Sequence, residues 1–160
     1  MKRKIGKNIY DLLKKLFPIT RSITGNGNRK SLKIIKTVIN KLKIIEYKSG
    51  KSVFDWKIPP EWNIKDAYVL YNKKKIIDFK KNNLHLVGYS VPTNKTLTKK
   101  ELFNHIYTDK TDKTAIPYIT SYYKKNWGFC ISENYKKKIK GNKFKVVINS
   151  SFKKNGSLTI

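Results

Sequence analysis

The period of the apolar residues changes near residue 42, and this change limits the folds that are open to the chain. Before it, apolar residues recur every three or four positions in two segments, which is the spacing of amphipathic helices. The first segment covers residues 4–16, and Pro18 ends it. The second contains Leu32, Ile35, Val38, Ile39 and Leu42. Asn28 precedes it and is the predicted N-cap.

After residue 42 the apolar residues lie in short runs that are rich in β-branched and aromatic side chains, which is typical of strands. These runs cover residues 43–49, 53–59, 66–71, 75–79, 86–90, 143–153 and 157–160. The sequence YNKKKI predicts a hairpin between the third and fourth runs, and NGSL predicts a tight turn of type I′ before the last.

Two short helices are predicted among these strands. Thr98 and Glu101 form a capping box for the first. Ser132 caps the second, which Gly141 ends. The fold class is therefore α+β, with two N-terminal amphipathic helices followed by a small, mostly β segment that carries one or two short helices. The boundary is predicted near residues 47–51.

The net charge of +27 suggests a nucleic-acid partner, but the composition gives another explanation. Lys, Ile and Asn make up 69 of the 160 residues, and Ala occurs twice. AT-rich codons encode the first three, so a genome-wide codon bias produces the same charge. Only three arginines are present, and the lysines are spread along the whole chain. We therefore expect no specific nucleic-acid partner.

The cysteine count and the length of the apolar runs indicate the cellular compartment and the relation of the chain to membranes. A single cysteine, Cys130, excludes an intramolecular disulfide and is consistent with the reducing cytoplasm, where we place the chain. No run of about 18 apolar residues is present, so no membrane span is predicted.

The residues that carry chemistry do not form a recognisable motif. His85 and His105 are 20 positions apart, which matches no local metal-ligand spacing. We interpret both as structural or exposed histidines and Cys130 as a buried small apolar residue. The acidic residues do not cluster, and Asp55 and Glu61 are interpreted as ion-pair partners or turn formers. No catalytic or metal-binding residue is therefore predicted.

The sequence LFPITRSITGNGNRKSL, residues 16–32, joins the two helices and resembles a glycine-rich phosphate loop. A phosphate loop follows a buried strand, whereas a helix that ends at Pro18 precedes this one. Three interpretations remain open: a piece of an active site, an anion-binding helix N-terminus at Gly25 and Gly27, or a plain connection between helices.

Several longer strings resemble one bacterial family. They are LFPITRSITGNG, KSVFDWKIPPEWNIKDAYV, IIDFKKNNLHLVGYSVP, AIPYITSYYKKNWGFCIS and FKVVINSSFKKNGSLT. The chain is similar over residues 8–159 to the N-terminal region of the aminopeptidase-like proteins described with polysaccharide biosynthesis. These resemble zinc-dependent exopeptidases with an inserted β-rich domain and a C-terminal winged helix.

The resemblance implies a division of the chain into three parts. Residues 1–50 would be the helical start of an incomplete zinc-exopeptidase-like α/β domain, residues 51–153 the inserted domain, and residues 154–160 the return to the peptidase domain. Within the loop, the resemblance makes Arg21, Ser22 and Thr24 the candidate substrate-binding residues, with Arg21 contacting a carboxylate.

The family's zinc-binding region has no counterpart in this chain, so the zinc of the family and its ligands cannot be assigned to any residue here. The chain is expected to be inactive alone. Its predicted partner is the rest of a peptidase domain, or a second copy that contacts the exposed helix faces.

Two alternatives stay open besides a peptidase fragment. One is a basic nucleic-acid-binding protein. The other is a β-rich binding module for a peptide or glycan, whose aromatic surface would come from Trp56, Trp62, Tyr68, Tyr89, Tyr118, Tyr122, Tyr123 and Trp127.

Overall fold

The computed structural model describes residues 2–160 and divides them into two compact units. Unit 1 comprises Met1–Asn63 and Phe152–Ile160, of which residue 1 lies outside the described residues. Unit 2 comprises Ile64–Ser151. The mixture of helices and small sheets confirms the α+β class. The assignment of residues 1–50, 51–153 and 154–160 to particular domains stays a prediction.

Unit 1 begins with helices α1 (Lys2–Leu16) and α2 (Asn26–Lys36). The first ends before Pro18, as its sequence predicts. The second was expected to have Asn28 as N-cap and to reach Leu42, and both expectations are wrong. Gly25 is the N-cap, and the helix stops at Thr37, whose hydroxyl donates to the Ile34 carbonyl.

The rest of unit 1 consists of short antiparallel pairs. Strand β1 (Glu46–Lys48) pairs with the last strand, β10 (Ser157–Thr159). The predicted single strand over residues 53–59 is wrong: β2 (Ser52–Val53) folds back on β3 (Trp56–Lys57). The two-residue turn between them places Phe54 at φ +54° with its side chain 99 % exposed.

The main sheet has the strand order β5-β4-β9-β6. Strands β4 (Glu61–Tyr71) and β9 (Lys143–Lys153) are its long central members, flanked by β5 (Lys74–Asp78) and β6 (Thr93–Thr98). The predicted hairpin between β4 and β5 is confirmed. Its turn residues Asn72 and Lys73 both have positive φ, as a type I′ turn requires.

Shorter elements complete unit 2. They are a 3₁₀ turn (Asn83–His85), helix α3 (Lys99–Phe103), the parallel pair β7 (Ile106–Tyr107) and β8 (Phe129–Cys130), and helix α4 (Glu133–Lys138). Thr98 and Glu101 form the predicted capping box, and the Ser132 side chain caps α4 as predicted.

Two further predictions are wrong. One is the strand over residues 86–90, and the other is the type I′ turn before β10. Residues 86–90 are not a regular strand, because Tyr89 adopts φ +61° and the Ser90 hydroxyl donates to the Val87 carbonyl. The turn before β10 is not of type I′, since Asn155 and Gly156 lack the positive φ values which that type needs.

The two units differ sharply in how completely they bury their apolar side chains. Unit 2 contains 16 of the 19 buried apolar residues among those described, and three of the 15 exposed large ones. Alternate residues of β9 point into its core, among them Phe144, Val146 and Ile148. Among the side chains that the structure describes in unit 1, only the apolar residues Leu16, Ile58 and Trp62 are buried, and 12 large apolar ones are exposed. Unit 2 therefore has a finished core, whereas unit 1 does not.

Candidate functional site

The connection between α1 and α2, residues 17–25, is packed tightly against its own unit. The Thr24 hydroxyl accepts a hydrogen bond from the Trp62 amide at 3.0 Å, and Thr24 is 2 % exposed. Gly27 lies so close to the Thr20 carbonyl oxygen that a Cβ there would come within 1.7 Å of it. The glycine at position 27 is therefore required by this close approach between the loop and the helix that follows it.

The three candidate substrate-binding residues have different environments. Arg21 is exposed and lines an open groove of about 410 Å3 together with Tyr10, Leu13 and Phe17. Ser22 is half-buried, and the hydroxyl of Thr24 is turned inward to β4. Contact of Arg21, Ser22 and Thr24 with a substrate stays a prediction.

Next to this loop lies a cluster of charged and polar side chains centred on Arg29 and Glu61. The Arg29 guanidinium donates to both Glu61 carboxylate oxygens, at 2.6 Å from Nη2 to Oε1 and 3.0 Å from Nη1 to Oε2. Nη2 also donates to Asn26 Oδ1 at 2.7 Å, and Nη1 to Ser157 Oγ at 3.2 Å. This bidentate geometry is the strongest that Arg and a carboxylate can form.

Glu61 receives further donors although it is only 3 % exposed. Asn63 Nδ2 donates to Oε1 at 2.9 Å, and the Ser157 amide donates to Oε2 at 3.1 Å. The hydrogen bonds from Arg29 are the main cause that lowers the pKa of Glu61 to about 2, against the opposing effect of burial. The same contact raises the pKa of Arg29 above its usual value. The predicted ion-pair role of Glu61 is confirmed.

This cluster cannot provide acid–base catalysis near neutral pH. A general base or acid needs a pKa near the working pH and a free position towards the substrate. Glu61 stays ionised, and its oxygens are occupied by Arg29, Asn63 and the Ser157 amide. The cluster instead joins three segments that are distant in sequence: the start of α2, the start of β4 and the β10 strand.

The histidines and the cysteine are engaged in local contacts within unit 2. His85 Nδ1 is 2.8 Å from the Cys130 carbonyl oxygen. The His105 ring stacks on Trp127 with 3.7 Å between centroids, and its Nδ1 is 3.1 Å from the Trp127 carbonyl oxygen. Burial raises the pKa of the Cys130 thiol to about 12, so the thiolate that a metal or a nucleophilic reaction needs does not form at neutral pH.

These residues do not fit a zinc ion. Among residues 2–160, no three His, Cys, Asp or Glu side chains lie close enough together to hold a metal. A zinc site needs at least three protein ligands, and His85 and His105 have no such partners beside them among the described residues.

Helices α1 and α2 leave a second open groove, of about 570 Å3, between them. Its lining is mostly apolar and includes Ile5, Ile9, Leu12, Ile34 and Val38. Ile5, Ile9 and Val38 are each more than half exposed. None of the helices described here is long and apolar enough to cross a membrane.

The aromatic residues that were predicted as a binding surface separate into three groups, of which one is half-buried: Trp56, Tyr68 and Tyr122. Trp62, Tyr89 and Trp127 are buried and belong to the packing of their units. Tyr118 and Tyr123 are exposed, at 67 % and 75 %.

Comparison with known proteins finds one family model and one named relative that are similar to this chain. The family model described as "Domain of unknown function (DUF2172)" matches residues 61–151, which is almost the extent of unit 2. A Clostridium acetobutylicum protein named "Putative polysaccharide biosynthesis protein with aminopeptidase-like domain" is 54% identical over 155 residues, which are 96% of this chain and 35% of that protein.

A solved structure is also similar over nearly the whole chain. The crystal structure of a "putative peptidase" from Clostridium acetobutylicum superposes with a TM-score of 0.91 and 53% identity, covering 98% of this chain and 37% of that one. The chain thus spans little more than a third of the length of these relatives. The resemblance to the aminopeptidase-like proteins is confirmed.

Proposed function

The chain belongs to the DUF2172 family, and we propose that it is the N-terminal part of an aminopeptidase-like zinc metallopeptidase that acts in polysaccharide biosynthesis. The names of its two relatives support this proposal. In this proposal unit 1 is one portion of the peptidase domain, and unit 2 is the β-rich domain inserted into it. The complete protein hydrolyses a peptide or an aminoacyl amide, and the present chain does not.

The observation that carries the proposal is the unfinished core of unit 1. Burying apolar surface stabilises a fold by about 25 cal/mol per Å2, so a unit with 12 exposed large apolar side chains lacks much of this stabilisation. Three of these side chains, Ile5, Ile9 and Val38, line one groove between α1 and α2, and an exposed apolar patch of this kind is typical of a surface on which another polypeptide packs. Both relatives contain almost twice as much additional chain as they share with this one, which is enough to supply such a polypeptide.

The metal ligands are assigned to that additional polypeptide. Among the described residues, no three His, Cys, Asp or Glu side chains lie together as a zinc site requires. Zinc, when bound in the complete protein, would activate a water molecule for amide hydrolysis. The role proposed for this chain is to contribute α1, α2 and the Arg29–Glu61 cluster to the domain, together with Arg21 at its surface. The cytoplasmic location is proposed from the single cysteine alone.

Metal content and turnover of the purified chain test the inactivity. We expect substoichiometric zinc and no release of p-nitroaniline from aminoacyl p-nitroanilides. Adding a polypeptide that corresponds to the remaining two-thirds of the Clostridium acetobutylicum relative is expected to restore zinc binding and hydrolysis. Stoichiometric zinc with turnover by the chain alone would contradict the proposal.

Self-association of the isolated chain tests the role of the helix faces. We expect sedimentation velocity to show dimers or larger species, and Leu13→Lys to shift them towards the monomer. Tyr118→Lys replaces an apolar side chain of unit 2 that is 67 % exposed, compared with 56 % for Leu13, and is the matched control. In hydrogen exchange we expect α1 and α2 to exchange faster than β9. If the backbone amides of α1 and α2 were the most protected from exchange, the hypothesis that unit 1 lacks part of its core would be refuted.

A further inference from the structure

One segment of unit 2 carries exposed aromatic residues that are close together in the sequence. Of the three exposed large apolar side chains of unit 2, Tyr118 and Tyr123 lie in this segment. The third, Tyr135, donates its hydroxyl hydrogen to the Ile76 carbonyl at 2.6 Å. Because the core of unit 2 is otherwise complete, an unfinished core does not explain the exposure of Tyr118 and Tyr123.

The segment that carries these rings is fixed at both ends. The amide of Gly88 donates to the Ile119 carbonyl at 2.8 Å, and the Ser121 amide donates to the Gly88 carbonyl at 2.9 Å. At the other end, the Val91 amide donates to the Asn126 carbonyl at 2.9 Å. Residues 121–126 therefore form a loop whose base is held on residues 88–91.

The buried ring of Tyr89, which belongs to residues 88–91, supports the 121–126 loop. Tyr89 is 3 % exposed and adopts φ +61°, a conformation that a bulky side chain rarely takes. Its ring meets Tyr122 edge-on, with 5.8 Å between centroids, and Tyr122 lies 4.1 Å from Tyr123. Strained backbone of this kind persists where the surroundings enforce it, and it is concentrated at binding sites. We name Tyr118, Tyr122 and Tyr123 the tyrosine platform.

The charged residues close to the tyrosine platform in the sequence are all positive. Lys124 and Lys125 follow directly after Tyr123, and both are exposed. Residues 79–100 and 113–132, which include the loop and its base, contain no Asp or Glu. An anionic ligand is therefore favoured electrostatically at this position.

We propose that the tyrosine platform binds an acidic polysaccharide, with sugar rings stacked by their C–H faces on the tyrosines and carboxylate groups paired with Lys124 and Lys125. The inference rests on the proposed function for its connection to polysaccharide biosynthesis. A peptide is less suitable, since peptides occupy apolar grooves or strand edges, whereas the platform is an exposed loop. Phosphate recognition in nucleic acids favours arginine, and unit 2 contains none.

Binding of defined polymers to the full 160-residue chain tests the inference. Isothermal titration at about 150 mM salt, where exposed charges are largely screened, compares polygalacturonate with uncharged dextran and with oligothymidylate. We expect polygalacturonate to bind and dextran to bind much more weakly. Replacing Tyr118 and Tyr123 together by Ala is expected to weaken the binding of polygalacturonate at least about tenfold, since aromatic faces supply much of the contact. Tyr123→Phe keeps the ring and is expected to retain the affinity.

Tyr10→Ala is the matched control, because Tyr10 is 60 % exposed but lies on α1 in unit 1. Equal weakening by this control, or no binding of polygalacturonate at this salt concentration, would overturn the inference. Tighter binding of oligothymidylate with the same dependence on Tyr118 and Tyr123 would instead identify a nucleic-acid site. Zinc binding and hydrolysis do not enter this assay, so its failure is distinguishable from failure of the proposed peptidase role.

Discussion

Replacing Glu61 by Gln removes one charge from the Arg29–Glu61 cluster while keeping the size of the side chain. In the native chain, Glu61 is 3 % exposed and accepts two hydrogen bonds from Arg29 at 2.6 and 3.0 Å. The variant leaves the half-buried Arg29 without its bidentate carboxylate partner, and only the more distant, exposed Glu46 carboxylate remains near it. Removing one member of a buried ion pair is strongly destabilising because the remaining charge is not compensated.

The lowered pKa of Glu61 gives the expected magnitude and its pH dependence. The pKa is about 2 in the folded chain, compared with 4.5 for an ordinary Glu. Because the folded pKa is lower, the unfolded chain binds more protons between these values, and the stabilisation from Glu61 is lost as pH falls from about 4.5 to 2. This difference corresponds to about 3 kcal/mol at pH 7.

Urea unfolding followed by tryptophan fluorescence measures this effect, since Trp62 is the next residue along β4. We expect Glu61→Gln to reduce the free energy of unfolding by about 3 kcal/mol at pH 7 and by almost nothing near pH 2. Glu46→Gln is the matched control, because Glu46 lies 3.8 Å from the same guanidinium but its side chain is 52% exposed. An exposed pair of this kind contributes at most about 1 kcal/mol.

Two results would refute this reasoning. One is a loss in Glu61→Gln that stays constant from pH 7 to pH 2, since that loss would not come from the carboxylate charge. The other is an equal loss in both variants, since burial would then have no influence on the strength of the pair.

Three further substitutions test packing and backbone geometry. Gly156→Ala places a Cβ 2.1 Å from the Glu61 Cβ, so we expect a loss of about 1–3 kcal/mol in urea unfolding; an unchanged midpoint would show that the strand adjusts without cost. Phe54→Gly relieves a positive φ at a side chain without burial, and we expect calorimetry to show a gain of about 0.5–1 kcal/mol rather than a loss. Thr24→Val deprives the Trp62 amide of its acceptor and is expected to cost about 1–3 kcal/mol, whereas Thr24→Ser keeps the hydroxyl and should be nearly neutral.

Elements with a local signal were predictable from the sequence. The capping box of Thr98 and Glu101, the Ser132 cap and the Asn72–Lys73 turn each depend on residues within four positions of one another. The end of α2 was not predictable in this way, since Val38 and Ile39 continue the helical period although the helix has ended. Periodicity identifies a face, but it does not identify the residue at which hydrogen bonding stops.

Strand prediction failed where pairing depends on distant residues. Strand β6, TNKTLT, has few apolar residues and forms because β9 pairs with it from Thr93 to Thr98. Residues 86–90 have a composition typical of strands, yet Tyr89 adopts a positive φ and interrupts the extended backbone. Neither outcome is encoded in a short window of sequence.

At the candidate site, too, the local feature was predictable from the sequence and the contacts with distant residues were not. The sequence identified Glu61 as an ion-pair partner, because an acidic residue among many lysines has many basic side chains with which it can pair. It did not identify Arg29 as the partner, which lies 32 positions away, or the Ser157 amide, 96 positions away. That Arg29 is one of only three arginines was the available signal, since buried bidentate pairs favour Arg over Lys.

The buried cysteine makes this chain suitable for site-specific labelling. Cys130 is the single thiol of the sequence, has no exposed surface, and its pKa of about 12 keeps it protonated at neutral pH. Maleimide reagents react with thiolates, so the natural chain should remain unmodified while folded. A cysteine introduced at the fully exposed position 54 would then be the sole reactive thiol. A fluorophore attached there could follow the assembly of unit 1 with a partner polypeptide without removal of the native cysteine.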